Sequence, residues 1–583
     1  MGSSLRLPPI PSHSTPVGGR LLNFHHKWEV ITSDSWVTSI VGKGYALPFR
    51  EFPPPILPHP SYCSEEHLLL LEQEVQVLLS KGAVELVPEQ ERGQGCYSRY
   101  FLIPKKDGRL RPILDLRILN WFLKQEKFKM LTLAQVLLAL NDGDWMVSVD
   151  LQDAYFHIPI LKSHRKYLWF VVGSQHYQFA VLPFGLTSAP RVFTKVMSVV
   201  AVELRRKWIA VFPYLDDWLI KAKSPELVLH HLQSTTQLLF DLGFSVNVPK
   251  SHLEPSQRLL FIGAVLDTTL NRAFPPPQRI QDIQALVPMF RSGAVIPVLR
   301  VLRLLGLFAS CILLVTHARW HMRALQWCLR KQWSQHKGDL EGSVKISGDA
   351  AADLKWWIAD GNLSQGRTFS QPPQVTTVIT DASALGWGAH LGDLEVKGHW
   401  SPVEQMFHIN PLELRAIRLA LKAVLPSLRG QSVQVLTDNT SAMWYINKQG
   451  GVGLYLLCRE ALRLWSWAKD HQICLVANHL AGVLNVRADT LSRHFSTDHE
   501  WRLHPDQVCL IFQMWGFPRI DLFATRENSH CPLFCSLQYP VQGELGDAFQ
   551  MTWCDQLLYA FPPIPLIPRV LRKIRQDRAQ VDG

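Results

Sequence analysis

Asp216 and Asp217 stand side by side in the apolar run FPYLDDWLI, Phe212 to Ile220. Unpaired buried charge is costly, so such a pair faces water, caps a turn or holds something positive. Asp150, which closes the run MVSVD, decides between these readings. A strand-terminal carboxylate and an acidic pair on a neighbouring hairpin can jointly hold two divalent cations. Magnesium takes such hard oxygen ligands and leaves positions for phosphate oxygens. Two ions roughly 3.5–4 Å apart stabilise the attacking and leaving oxygens of one displacement together. Neighbouring strand residues face opposite ways, so Asp216 and Asp217 converge only where the backbone bends. The bend is expected to keep both from burial, with Asp216 the firmer ligand and Asp217 the looser.

A second group of acids follows: Asp381 in VITDAS, Glu413 in PLELRA, Asp438 in VLTDNT and Asp489 in RADTLSR. Two sit at strand ends and two begin or lie on helices. Together they can bind two magnesium ions that activate water against a phosphodiester. His479, in ANHLAG, is placed to guide a proton or the departing product. Taken singly each has a plainer reading: a helix-start acid for Glu413, a structural histidine for His479.

The elements that must position these groups are legible in outline. Residues 1–60 are rich in Pro, Gly and Ser and read as an extended lead-in. SEEHLLLLEQEVQVLLSKG is a capped helix ending at Gly82. Strands flank a basic Asp-Gly turn in YFLIPKKDGRLRPIL, and LWFVVGSQHYQFAV reads as two strands around Gly173. A helix opens near Pro190. The mixture makes residues 61–275 α+β. Residues 276–374 are mostly helical and end in a linker, Leu363–Gln374; the greasy run Leu304–Thr316 reads as a buried helix. In residues 375–495 a hairpin is followed by a helix closed by Gly430 and a further strand. Residues 496–583 read as irregular up to a basic end, with five Arg/Lys against two Asp from Phe561 to Gly583. That end either touches nucleic acid or is a solvated stub.

At 583 residues, 47% hydrophobic, the chain can build several packed domains and is not disordered as a whole. A formal charge of +11 suits a polyanionic partner without proving one. Ten scattered cysteines fit a reducing, intracellular setting. Cys531 and Cys535 beside His530 lack a second ligand pair for zinc and read as packed thiols. The opening MGSSLRLPPIP has no sustained apolar stretch, and Arg6 stands where a myristoylation site wants Ser or Thr. No membrane partner is expected.

YLDD, with DLQDAYF before it and LPFGLTSAP between, resembles the palm of a reverse transcriptase. PKKDGRLRPILDLRILN resembles that family's fingers, and DLGFSVNVPKS and RLLFIGAVLD its closing motifs. The blocks around Asp381, Glu413, Asp438, His479 and Asp489 resemble ribonuclease H, in order. The resemblance implies an α+β multidomain chain, a right-hand polymerase of fingers, palm and thumb followed by an α/β ribonuclease H-like domain. It implies Asp150, Asp216 and Asp217 as one set of magnesium ligands and Asp381, Glu413, Asp438 and Asp489 as the other, with manganese as a substitute. Arg111 and one of Lys105 or Lys106 would hold the incoming deoxynucleoside triphosphate; Arg111 is equally able to pair with Asp115. Tyr155 would stack beneath the sugar and obstruct a 2′-hydroxyl, and Phe184 and Gly185 would line the pocket. Lys250 would sit near pyrophosphate or be an ordinary solvated lysine. Asn485 and Arg487 would lie near the last metal ligand and the hybrid.

ILDLRILN, YLDDWLI and the tail from IDLFATRENSHCPLFCSL onward resemble the DIRS-type retrotransposons. That implies an RNA template, a DNA primer and an RNA–DNA hybrid as partners, with other element-encoded proteins, including a tyrosine recombinase. Other readings are a domesticated nucleic-acid binder and a ribonuclease H alone.

Overall fold

The computed structural model describes residues 7–58, 64–104, 110–333, 340–369, 375–494, 503–525, 528–536, 544–554 and 556–582. The chain divides into two compact units. One is Met1–Gln374 with Lys448–Cys458, the other Val375–Asn447 with Arg459–Gly583. Both mix helices and sheets: the first is α+β, its sheets antiparallel, and the second carries the parallel pairs of an α/β domain, as expected.

The first unit opens differently from the expected extended lead-in. Helices α1 (His25–Ile31) and α2 (Ser35–Lys43) form there, and the Asp34 side chain caps α2 by accepting from the Trp36 and Val37 amides. Trp28, Val37, Ile40 and Val41 enter the main core of the unit. The Pro/Gly/Ser composition hid a short amphipathic pattern, Val37, Ile40 and Val41, whose burial outweighs weak local propensity. Helix α3 (Glu65–Ser80) is capped by Ser64, as its sequence requires.

Strands β1 (Tyr100–Pro104) and β2 (Leu110–Leu114) pair antiparallel. The central sheet has β3 (Trp145–Asp150), β4 (Ala210–Tyr214), β5 (Asp217–Ala222) and β6 (His252–Ser256) in the order β4-β5-β3-β6, all antiparallel. Helix α4 (Ala189–Arg206), with Pro190 in its first turn, buries Val192, Phe193, Val196, Met197 and Val200 along one stripe. Helix α5 (Pro225–Asp241) likewise buries Val228, Leu232 and Leu239. A second core gathers four helices, Pro277–Leu286, α6 (Val298–Ser310), Arg323–Trp333 and Gly348–Ile358.

The greasy run Leu304–Thr316 is only half helical. α6 stops at Ser310, and Cys311, Leu314 and Val315 stay buried in turns closed by Cys311 N to Phe308 O and Leu314 N to Cys311 O. The run is apolar because it is core. The expected linker is also partly built in: Arg367–Thr368 pairs with Arg272–Phe274, and Leu363 and Phe369 are buried.

In the second unit β7 (Val375–Ala382), β8 (Gly386–Leu391), β9 (Leu394–His399), β10 (Ser432–Thr437) and β11 (Cys474–His479) form one sheet, ordered β9-β8-β7-β10-β11. The first three are antiparallel; β10 and β11 run parallel to β7. Helix α7 (Ile409–Ala423) ends before Pro426, not at Gly430, because proline cannot donate the next amide. Gly430, at φ +72°, serves the following turn instead. Helix α8 (Val486–Arg493) packs on β8.

The tail is not irregular. After α9 (Pro505–Trp515), strands β12 (Ile520–Asp521), β13 (Leu533–Cys535), β14 (Glu544–Leu545), β15 (Leu557–Tyr559) and β16 (Gln580–Asp582) form a parallel sheet, β14-β13-β12-β15-β16. α10 (Ile567–Asp577) joins its last two strands. Strands of two or three residues leave no alternation to read. Burial pushes the Cys531 and Cys535 thiols up to about 12 and about 11, which fits packed thiols. Arg6 of the myristoylation reading lies outside the described residues.

Candidate active sites

The bend expected between the paired aspartates is a two-residue hairpin turn, Leu215–Asp216, with Leu215 at φ +53° and Tyr214 opposite Asp217. Asp217 lies opposite Asp150 in the β3–β5 register, and the Leu151 amide donates to the Asp216 carbonyl at 2.8 Å. Asp216 is exposed, as expected, but Asp217 is half-buried. Burial, then Asp150 and Asp216, push Asp217 up to about 7. Asp150 is also raised, by burial first and then by Asp216, against the pull of Lys250 and a hydrogen bond from Asn247.

Two residues that sequence reasoning missed hold Asp150 in place. The Asn247 amide donates to its carbonyl at 2.8 Å, and its own amide donates to Ser251 Oγ at 2.9 Å. A polar Asn inside FSVNV was the available signal. Lys250 is exposed on the same turn, Val248–Lys250.

Tyr155 lies in a 3₁₀ turn, Ala154–His157, and is buried. Its ring centroid is 5.0 Å from that of Phe184 and 5.3 Å from that of Phe193. Burial, then Asp216 and Tyr214, push its hydroxyl up to about 12. Phe184 is exposed, and Gly185 holds φ +94°, where a Cβ would stand 3.2 Å from the Leu114 carbonyl oxygen. Asn120 Nδ2 donates to the Gly185 carbonyl at 2.9 Å. Tyr155 and Phe184 are thus brought together with the acidic hairpin. Lys105 and Lys106 lie outside the described residues; Arg111 is placed on β2 opposite Ile103. Asp115 is paired with Arg117, with contacts of 2.9 and 2.6 Å.

In the second unit Asp381, Glu413 and Asp438 offer carboxylate oxygens within 4.8 Å of one another. Among the described residues no other trio converges so closely, the Asp150 group included. Asp381 lies in the buried C-terminal end of β7, one residue before its last; Ser492 Oγ donates to its Oδ2 at 2.7 Å and Asn485 Nδ2 to its Oδ1 at 3.4 Å. Asn485 is itself buried and also donates to the Thr380 carbonyl at 3.1 Å. Glu413 is 3% exposed on α7, and its Oε2 has no hydrogen-bond partner among the described residues. Burial, then Asp381 and Asp438, push Glu413 up to about 9. Asp381 is raised to about 6, chiefly by burial.

Like charges this close, one with an orphaned buried oxygen, are the setting a hard divalent cation satisfies. The trio can coordinate such an ion.

Asp489 stands outside the trio and pairs with Arg493 at 2.7 Å. His479 ends β11 opposite Thr437, the residue before Asp438, and is exposed. Arg487 is not at the acids. Its guanidinium bonds Glu395 at 2.6 Å and the Gly392 and Asp393 carbonyls, because the β8–β9 turn offers it acceptors. Arg493 is the cation facing the acids: Asp489 first, then Asp381 and Asp438, raise it. Ser492 and Arg493 were both missed, although LSR follows Asp489 by one helical turn. Gly388, opposite Asp381, lets α8 sit against β8: a Cβ there would lie 2.5 Å from Leu491 Cβ and 2.6 Å from the Ser492 nitrogen.

Residues 103–266 match the family described as "Reverse transcriptase (RNA-dependent DNA polymerase)". The chain is 25% identical over 221 residues to the transposon Tf2-3 polyprotein of Schizosaccharomyces pombe, covering 38% of this chain and 15% of that one. It is 21% identical over 419 residues to the enzymatic polyprotein of figwort mosaic virus, covering 67% and 57%. The chain therefore spans only part of the curated relatives it matches. Among solved structures, the foamy viral protease-reverse transcriptase in complex with RNA/DNA hybrid superposes with a TM-score of 0.47 at 16% identity, covering 88% of this chain and 69% of that one. The same protein's dRH form with double-stranded DNA gives 0.48 at 16%, covering 81% and 84%. Residues 103–266 thus match the reverse-transcriptase family model, in a chain that is similar to parts of retrotransposon and viral polyproteins and continues into an α/β domain built on a five-stranded sheet.

Proposed function

We propose that the chain copies an RNA or DNA template into DNA at the Asp150–Asp216–Asp217 end of the first sheet. At the Asp381–Glu413–Asp438 cluster it cuts the RNA strand of the resulting hybrid. The observation that carries this reading is the pairing of a matched polymerase domain with a separate, convergent trio of acids, two of them buried. Magnesium, or manganese in its place, held by Asp150, Asp216 and Asp217 and by Asp381, Glu413, Asp438 and Asp489, would stabilise charge on phosphate oxygens and acidify the attacking hydroxyl or water.

The chain's own residues do the rest. Tyr155, fixed against Phe184, fills the space below the sugar and discriminates against a 2′-hydroxyl. Lys250, beside Asp150, supplies countercharge to the leaving pyrophosphate. Arg111 and one of Lys105 or Lys106 hold the triphosphate. At the second site Asn485 and Ser492 orient Asp381, Arg493 holds Asp489, and His479 passes a proton or eases product away. RNA, DNA primer, hybrid and deoxynucleoside triphosphates are the ligands. A DIRS-type element, with a tyrosine recombinase encoded elsewhere in it, is the origin we favour on the tail motif.

Asp150→Asn should abolish primer extension and leave hybrid cleavage; Asp438→Asn should do the reverse. If either substitution removed both activities, or neither, the assignment of two separate sites would fail.

A further inference from the structure

The C-terminal helix α10, IPRVLRKIRQD, carries Arg569, Arg572 and Arg575 three residues apart, and Arg578 follows at its C-cap. At 100° per residue these positions climb the helix along one ridge. Val570 and Ile574 fall on the opposite side, and they pack into the core beneath the tail sheet. The helix therefore docks through its apolar side and turns its arginines outward. Arg569, Arg572, Arg575 and Arg578 are all exposed, and among the described residues none has a carboxylate partner. The one cation of α10 that is neutralised is Lys573, held by Asp577 at 2.8 Å. Arg569 lies 3.9 Å from the Phe549 ring centroid, which steadies one end of the ridge.

Several other arginines in this unit are paired with carboxylates. Arg415 is shared between Glu404 and Glu460, Arg487 is held by Glu395 and Arg493 by Asp489. A row of guanidinium groups kept apart from acids is a surface that lacks its anion. From Arg569 to Arg575 the ridge rises about 9 Å, close to the rise of two to three nucleotides along one strand. An anionic bilayer is a poorer match: Val570 is buried and Ile574 half-buried against the tail sheet, which leaves only Ile567 and Leu571 of the large apolar residues of α10 exposed to enter it.

We infer that α10 is a phosphate-backbone contact, by which the tail module grips the nucleic acid that the two acidic sites act on. This rests on the proposed function for the identity of the nucleic acid. Contacts would be to phosphates, so the grip would be sequence-independent and salt-sensitive.

The test uses the full chain with a labelled 20-base-pair RNA–DNA hybrid, its affinity measured from 50 to 200 mM salt. Three proteins are compared: unaltered, Arg572→Gln/Arg575→Gln, and Arg572→Lys/Arg575→Lys. Each lost phosphate contact should lower the slope of log affinity against log salt by about 0.9, so the Gln pair should lower it by about 1.8. The Lys pair should keep the slope within about 0.5. Both changes are on exposed side chains, so the melting temperature should hold. Equal slopes for the unaltered chain and the Gln pair would overturn the inference while leaving the proposed function intact. Failure of the unaltered chain to bind the hybrid would overturn both. Binding of phosphatidylserine vesicles that depends on these arginines, with hybrid affinity unchanged, would assign the ridge to a membrane and overturn the inference.

Discussion

Gly388→Ala should disable the second site without touching the first. The added Cβ would lie 2.5 Å from Leu491 Cβ, 2.6 Å from the Ser492 nitrogen and 2.7 Å from the Ala488 carbonyl oxygen. Two of these three are backbone atoms of α8, so no rotamer change relieves them. Reaching ordinary contact requires α8 to move out by about 1 Å. The strain of such overpacking is typically 1–3 kcal/mol, about a few degrees of melting temperature for a unit of this size. The larger effect is geometric. α8 carries Ser492, which donates to Asp381 at 2.7 Å, and Asp489 with its partner Arg493. A displacement near 1 Å at reacting groups costs on the order of a hundredfold in rate. Hybrid cleavage with saturating magnesium should fall by about that factor, and primer extension by the same preparation should stay within about twofold. Cleavage within twofold of the unaltered chain would refute the claim that α8 positions the acid cluster.

The pH dependence of metal binding follows from the raised carboxyls. Glu413, near 9, and Asp381, near 6, hold protons that a cation must displace, so calorimetric affinity should rise from pH 6 to 8 by up to about tenfold per unit. The same groups bind more protons folded than unfolded, so metal-free stability should fall as pH rises from about 4 towards 9. Metal affinity flat in pH would contradict this. Tyr155→Ala should weaken discrimination against ribonucleotides in primer extension by about tenfold or more, since its ring is fixed 5.0 Å from Phe184; unchanged selectivity would remove Tyr155 from the pocket. Trp28→Ala should destabilise the first unit by about 3–5 kcal/mol, because the side chain is fully buried and its Nε1 donates to the Leu242 carbonyl. A loss below about 1 kcal/mol would mean that the N-terminal helices are dispensable to the core.

Much of both candidate sites was legible because acids at strand ends are costly enough to be informative. Asp150, Asp216 and Asp217 converge through a bend that strand alternation demanded, and Leu215 supplies it with a left-handed backbone. Asp381, Glu413 and Asp438 were visible as types, but the burial of Glu413 was not, since a helix-start acid is usually solvated. The groups that orient the acids escaped. Asn247, Ser251 and Ser492 are ordinary polar residues whose role exists only once the fold closes. Arg487 is expected near the last acid from its position in a motif, but the β8–β9 turn holds it instead. Composition misled at both ends of the chain. Proline and glycine concealed α1 and α2, whose stability comes from tertiary burial rather than propensity. Strands of two or three residues concealed the parallel sheet of the tail.

The most direct measurement is primer extension on an RNA template with magnesium and the four deoxynucleotides, with both strands labelled. Growth of the DNA strand together with shortening of the RNA is the result expected of two working sites. RNA shortening without DNA growth would contradict the polymerase assignment and leave a nuclease. A hybrid that is bound but unchanged in either strand would contradict both and leave a nucleic-acid binder.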